Sequence, residues 1–209
     1  MGYDPEKHHR RSTRLGGYDY AQPGAYFVTV CTRGRACLFG HVLNGEMHLN
    51  EAGEIVASVW HGLPERFPGM EPDAFVVMPN HVHGVIVITD APPTASAATT
   101  KPRRGESCIR PGNPHPLHSG DHKDRPYGTA TGSLGRIMQA FKSTTTHEYV
   151  IGVRHRGLAP FRAGLWQRGF HEHVVRNERE LTAIREYILG NPLRWDDDEN
   201  NPDFTTGVR

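Results

Sequence analysis

Six consecutive residues, Pro79-Asn80-His81-Val82-His83-Gly84, hold the densest chemistry in the sequence. In a β-strand, positions two apart face the same side, so His81 and His83 would present two imidazoles together while Val82 points into a core. Two neutral imidazoles on a rigid strand make half of a metal site, and Gly84 leaves room beside them. A bare His-x-His also describes a pair of surface histidines on an amphipathic strand. Here, however, the strand is otherwise apolar, and imidazoles placed in it are costly without a partner. A second pair, His171-Glu172-His173, has a charged residue at its centre. That pattern suits an edge strand or a loop. It is the weaker metal candidate, with phosphate contact or shaping of the site as other roles for His173.

A third group lies in Arg185-Glu186-Tyr187-Ile188-Leu189-Gly190-Asn191-Pro192. Tyr187 and Asn191 are four apart, so on a helix they share a face and send a phenol and an amide carbonyl into the same space. That spacing suits a nucleophile beside a third metal ligand. Taken alone, a tyrosine near a helix end is a packing residue, so this reading depends on the histidines.

Strands and helices must bring these groups together. Ala25 to Thr32 follows the breaker Pro23-Gly24, is β-branched and aromatic, and reads as a strand. Asn50 and the apolar positions from Ile55 to Leu63 predict a capped amphipathic helix ending near Pro64. Asp73 to Met78 and Val82 to Thr89 read as two further strands around a Pro79-Asn80 turn signal. Ser133 is a plausible N-cap for a helix carrying Leu134, Ile137, Met138, Phe141 and Thr145. Leu165 to Val175 reads as a strand with Gly169 marking a bulge, and Glu178 to Leu189 as a helix stopped by Gly190 and Pro192. The order β-α-β-β-α-β plus a helix predicts an α+β, ferredoxin-like split βαβ fold. Its antiparallel sheet would carry helices on one face and leave the other for a ligand.

At 209 residues the chain reads as one domain with a core at about 18–195. A basic arm occupies 1–15. Residues 90–132 are rich in Pro, Gly, Ser, Thr and His and read as a flexible insertion. The net charge of +1 conceals an acidic tail at 196–209; residues 1–194 carry 23 basic and 18 acidic side chains. A moderately basic body suits a phosphate-bearing partner, although a solvated surface would look the same. No run of 18 apolar residues exists, and the start of the chain is polar and basic without an apolar segment, so a cytoplasmic protein without membrane spans is expected. Cys31, Cys37 and Cys108 match neither a disulfide framework nor a zinc knuckle and read as free thiols.

With these pieces together, the sequence resembles the HUH single-tyrosine transposases, and among them the REP-associated tyrosine transposases. The resemblance covers most of the chain: Gly17-Tyr18-Asp19-Tyr20 through Tyr26-Phe27, Met78 through Gly84, Phe141-Lys142-Ser143, Trp166-Gln167, Phe170 through His173, and Tyr187-Ile188 with Asn191-Pro192-Leu193-Arg194-Trp195. It implies that His81, His83 and Asn191 bind a divalent ion, Mg²⁺ or Mn²⁺. Tyr187 would attack a phosphodiester of single-stranded DNA to give a 5′-phosphotyrosine and a free 3′-hydroxyl. The implied substrates are DNA hairpins formed by palindromic repeats, and related proteins act as monomers or homodimers. Candidate DNA contacts are Arg10, Arg11, Arg14, Arg33, Arg35, Lys142, Trp166, His173 and Arg176. Two other functions stay open: a domesticated hairpin-binding protein that does not cut, and a metal-dependent hydrolase. The hydrolase would need carboxylates near the histidines, and no motif supplies them.

Overall fold

The computed structural model describes residues 18–90 and 132–204. The predicted arm at 1–15 and nearly all of the predicted insertion lie outside them. The elements are β1 (Gly24–Cys31), β2 (Gly40–Leu43), β3 (Glu46–Leu49), α1 (Glu51–His61), the single turn α2 (Leu63–Arg66), β4 (Met70–Val77), β5 (His81–Ile88), α3 (Leu134–His155), β6 (His171–Val175) and α4 (Glu178–Leu189). A 3-10 helix, Pro192–Asp197, follows α4.

The main sheet has the order β4-β5-β1-β6 with every neighbouring pair antiparallel. This is the strand order of a split βαβ unit, and the α+β ferredoxin-like expectation holds. Alternation along the strands divides the sheet into two faces. Tyr26, Val28 and Val30 of β1 and Val82 and Ile86 of β5 pack with Val56 and Trp60 of α1 and with Ile137, Met138 and Phe141 of α3. These side chains are fully buried, and burial of each large apolar one stabilises by roughly 1.5–3 kcal/mol. The opposite face carries Phe27, Thr29 and Cys31 beside His83 and His81, as the register Thr29↔His83 and Cys31↔His81 requires. Helix α4 packs across this second face against β4 and β5. The face is therefore partly covered.

Local sequence explains the ends of the helices. Asn50 caps α1 by accepting a hydrogen bond from the Gly53 backbone, Ser133 caps α3 from Arg136, and Asn177 caps α4 from Glu180. Two elements depart from the sequence reading. The β2–β3 hairpin was not anticipated, although Asn44 and Gly45 at its turn both take positive φ (53° and 76°), which is the conformation that favours Asn-Gly in two-residue hairpins. The strand expected over 165–175 begins only at His171. Gly169, at φ 82°, turns the chain, and Trp166 makes an isolated bridge to Thr32.

Gly84 has a different role from the one its neighbours suggested. Position 84 faces away from 81 and 83, toward the core, where an added Cβ would lie 2.5 Å from Trp60 and 3.1 Å from Phe75. The Trp60 and Phe75 rings stack there with centroids 4.5 Å apart. Among the described residues no helix is long and apolar enough to cross a membrane, and Cys31 and Cys37 are free thiols. Replacing Gly84 by Ala is expected to cost about 1–3 kcal/mol through overpacking. At roughly 2–4 °C of Tm per kcal/mol for a chain of this size, thermal denaturation checks it.

Candidate metal centre and tyrosine site

β5 brings His81 and His83 to one side of the sheet at 0% and 3% exposure, with their Nε2 atoms 3.0 Å apart. The proton positions follow from the surroundings. Asn80 Nδ2 donates to the carbonyls of Arg35 (3.0 Å) and Asn200 (2.6 Å), which turns Asn80 Oδ1 toward His81 Nδ1 at 2.9 Å. His81 Nδ1 must then carry the proton, and a neutral ring has no second one for Nε2. His83 Nδ1 lies 2.8 Å from Thr29 Oγ1. With its proton on Nε2, His83 donates to His81; with its proton on Nδ1, it donates to Thr29 and both Nε2 lone pairs point into one space. Burial holds both rings neutral. It pushes His81 down to about 4 despite the opposing charge of Asp198, and it pushes His83 well below the usual histidine range, with His81 as a secondary cause.

Two oxygen atoms complete the cluster. Asp198 Oδ2 is 3.7 Å from His81 Nε2, and ligand atoms of His81, His83 and Asp198 all lie within 4.8 Å of one another. Asp198 is held by its other oxygen, which accepts from the backbone nitrogen (2.7 Å) and Nδ2 (3.0 Å) of Asn200. Asn191 is 3% exposed, and its side chain interacts with both His81 and Tyr187. Its carbonyl oxygen is buried and accepts no hydrogen bond. An orphaned acceptor of this kind costs roughly 1–3 kcal/mol. With the His83 proton on Nδ1, the lone pairs of two imidazoles, a carboxylate and an amide oxygen without a hydrogen bond would fit a divalent cation. His81, His83 and Asp198 would hold it, and Asn191 lies at the edge of the same space.

Tyr187 projects from the last turn of α4 with its hydroxyl 3.4 Å from His83 Nε2. Its ring meets those of His83 and Phe27 edge-on, with centroids 5.2 and 6.1 Å away. The residue is 38% exposed, so the phenol is reachable from solvent. Burial raises its pKa above the ordinary tyrosine value, and Asp198 raises it further, while Asn191 and Arg194 oppose the shift. The Arg194 guanidinium lies 5.8 Å from the centre of the ring.

The remaining expected site residues are scattered. Arg10, Arg11 and Arg14 lie outside the described residues. Arg33 donates through Nη1 to the Ala163 carbonyl at 2.7 Å, and Arg35 donates to the Glu199 carbonyl. Lys142 donates to the carbonyls of Gln167 (2.5 Å) and Gly169 (2.8 Å), so its ammonium ties down the loop before β6. Trp166 is corrected as a base-stacking residue. It is 7% exposed, packed between Phe39 and Phe141, and its indole N–H donates to Thr145 Oγ1 at 2.8 Å, so no ring face is offered to a base. His173 Nε2 pairs with Glu180 Oε1 at 2.7 Å, and the Arg176 side chain is exposed. Asp198 was missed because it sits third in an acidic run that reads as a solvated tail.

No family model matches the chain. Among solved structures, it is similar to a REP-associated tyrosine transposase bound to a REP hairpin, with a TM-score of 0.51 and 18% identity, covering 87% of this chain and 73% of that one. At that identity the likeness establishes a shared fold. The outer support of His81 yields a prediction. Asn80→Ala is expected to weaken Mn²⁺ binding about 10- to 100-fold, the usual effect of removing the group that orients a histidine ligand, with isothermal titration as the check. Kinship rests on a stronger match, an uncharacterized protein of Haemophilus influenzae that is 34% identical over 203 residues, 94% of this chain and 96% of that protein, and this chain belongs to its family.

Proposed function

We propose that the chain is a divalent-metal-dependent transposase of the REP-associated tyrosine kind, which nicks and rejoins single-stranded DNA at hairpins through Tyr187. The observation that carries this reading is the 3.4 Å approach of the Tyr187 hydroxyl to a buried histidine pair whose ligand atoms lie within 4.8 Å of those of Asp198. The hairpin partner is supported by the fold shared with a protein that was solved bound to a REP hairpin.

In the proposed reaction the Tyr187 oxygen attacks the scissile phosphorus, the P–O3′ bond breaks, and a 5′-phosphotyrosine forms. The phenolic proton goes to solvent, and the departing 3′-oxygen takes up a proton to leave as a hydroxyl. One phosphodiester replaces another, so attack by a 3′-hydroxyl reverses the step without an external energy source. A phenol raised above its ordinary pKa is a poor nucleophile at neutral pH. A bound Mg²⁺ or Mn²⁺ would supply charge neutralisation at the phosphate and at the leaving oxygen. His81, His83 and Asp198 are assigned to hold that ion; two nitrogen ligands favour Mn²⁺ over Mg²⁺. Asn191, between His81 and Tyr187, is assigned as an additional ligand. Arg194 offers its guanidinium to the phosphate beside the phenol. Arg33, Arg35, Lys142, His173 and Arg176 are assigned to the DNA backbone. For Lys142 this means through the loop it holds.

Asp198 does favour a second reading, since it provides the carboxylate that a metal-dependent hydrolase requires. A hydrolase gives no role to Tyr187, and trapping the intermediate separates the two. Wild type and Tyr187→Phe, incubated with labelled single-stranded hairpins and Mn²⁺ and run on a denaturing gel, are expected to differ completely. A chelator-sensitive, slower-migrating band should form with wild type only, while hairpin affinity stays within about threefold, because one hydroxyl contributes little to phosphate-dominated binding. Equal cleavage by both proteins would point to the hydrolase. Binding with no cleavage in Mn²⁺ or Mg²⁺ would point to a non-cutting hairpin-binding protein.

A further inference from the structure

We propose that the ion pair between Arg185 of α4 and Asp73 of β4 positions the tyrosine helix, setting the rotation at which Tyr187 meets the histidine pair. The proposal rests on the reading of Tyr187 as the nucleophile, and it makes Arg185 and Asp73 positioning residues.

α4 crosses the sheet from one edge to the other. It starts directly after the edge strand β6, where Glu180 takes His173 Nε2 at 2.7 Å and the Arg176 backbone nitrogen at 2.7 Å. At the other edge, Arg185 Nε donates to Asp73 Oδ1 at 2.8 Å and Nη2 donates to Oδ2 at 2.7 Å. Two parallel bonds between planar groups restrict orientation as well as distance. Nη1 adds a bond to Glu178 Oε1 at 3.2 Å.

Apolar packing under this helix is thin, since Ile188 is its one fully buried side chain. Leu181 and Ile184 add half-buried contacts along the same face, and so narrow a seam resists roll less than it resists separation. At 3.6 residues per turn, Arg185 and Tyr187 lie about 160° apart around the axis with Ile188 between them. The guanidinium is fixed to β4 on one side of this seam, and the phenol rests over His83 and Phe27 on the other. Roll about Ile188 would break the paired hydrogen bonds before it carried the phenol away.

β4 is built to make this contact. Its pairing with β5 slips between Pro72↔Ile86 and Phe75↔Gly84, where Asp73 and Ala74 lie opposite Val85 alone, which is a β-bulge. The extra residue lets Asp73 face α4 while Phe75 still returns to the core to stack on Trp60. The Ala74 backbone nitrogen donates to Asp73 Oδ1 at 2.6 Å and holds the carboxylate in place. The pair is partly exposed, 38% and 21% for the two side chains, and such pairs add little to global stability. Its bidentate geometry and its place two residues before the tyrosine suit positioning better than stabilisation.

The test uses the full chain with Asp73→Asn, Arg185→Met and Arg185→Lys. Amide hydrogen exchange across α4 reports whether the helix is held, and single-turnover adduct formation on a saturating DNA hairpin with Mn²⁺ reports whether the phenol is placed. Exchange in α4 is expected to rise about tenfold in Asp73→Asn and Arg185→Met, with β5 unchanged, the signature of a local opening. Adduct formation should slow by roughly 10- to 100-fold, in keeping with a misplaced reacting group, while hairpin affinity stays within about twofold; Arg185→Lys, a charge without the fork, should fall between. Unchanged exchange in α4 overturns the proposal. So does faster exchange with a wild-type adduct rate. A wild type that forms no adduct at all contradicts the nucleophile reading instead, and the exchange in α4 then still decides whether the ion pair holds the helix.

Discussion

Two neutral imidazoles facing each other across 3.0 Å in a buried pocket are the constraint on which the rest of the structure depends. With the His83 proton on Nε2 they share it; with that proton on Nδ1, held at Thr29, two lone pairs face one space. Asn80 removes the freedom of the first ring by holding its Nδ1 proton, and Asn80 is itself fixed by carbonyls from the β1–β2 connection and from the C-terminal segment. Three distant parts of the chain thus meet behind one histidine. The core on the other face, with Trp60 pressed against Gly84, makes β5 rigid enough for this arrangement to persist.

The same burial sets a tension at the tyrosine. Surroundings that keep the histidines neutral also raise the phenol, and the carboxylate that would attract a cation raises it further. A positive charge in the pocket would relieve both effects at once. It would satisfy the orphaned Asn191 oxygen, screen Asp198 and favour the phenolate. The protein alone therefore holds a phenol close to the histidine pair whose ionisation it disfavours.

Much of this was legible in the sequence, because the signals were periodic. Alternation around Val82 placed His81 and His83 on one face, and the four-residue step from Tyr187 to Asn191 anticipated their meeting, although Asn191 lies past the end of α4 as the N-cap of the 3-10 helix. The strand and helix order gave the sheet topology, since few arrangements satisfy it. The β2–β3 hairpin was readable in principle from Asn44-Gly45, but its strands are short and mostly exposed, with no apolar run to mark them. Asp198 was not readable: its position depends on the 3-10 helix that follows Asn191 and on an Asn200 turn, and an acid within Asp196-Asp197-Asp198-Glu199 looks like any solvated charge. Lys142 and Trp166 had the right residue types for DNA, but tertiary contacts absorb the ammonium into two carbonyls and the indole into the core.

The most direct measurement of the central claim is an anomalous-difference map, recorded at the manganese edge, from crystals of the full chain grown with Mn²⁺. The account predicts one peak within bonding distance of both His81 Nε2 and His83 Nε2, with the Asp198 carboxylate drawn onto it and the His83 Nδ1 proton turned to Thr29. A map with no density between the two rings, and their nitrogens still 3.0 Å apart at millimolar Mn²⁺, would show that the pair shares a proton instead of a metal and would contradict the account.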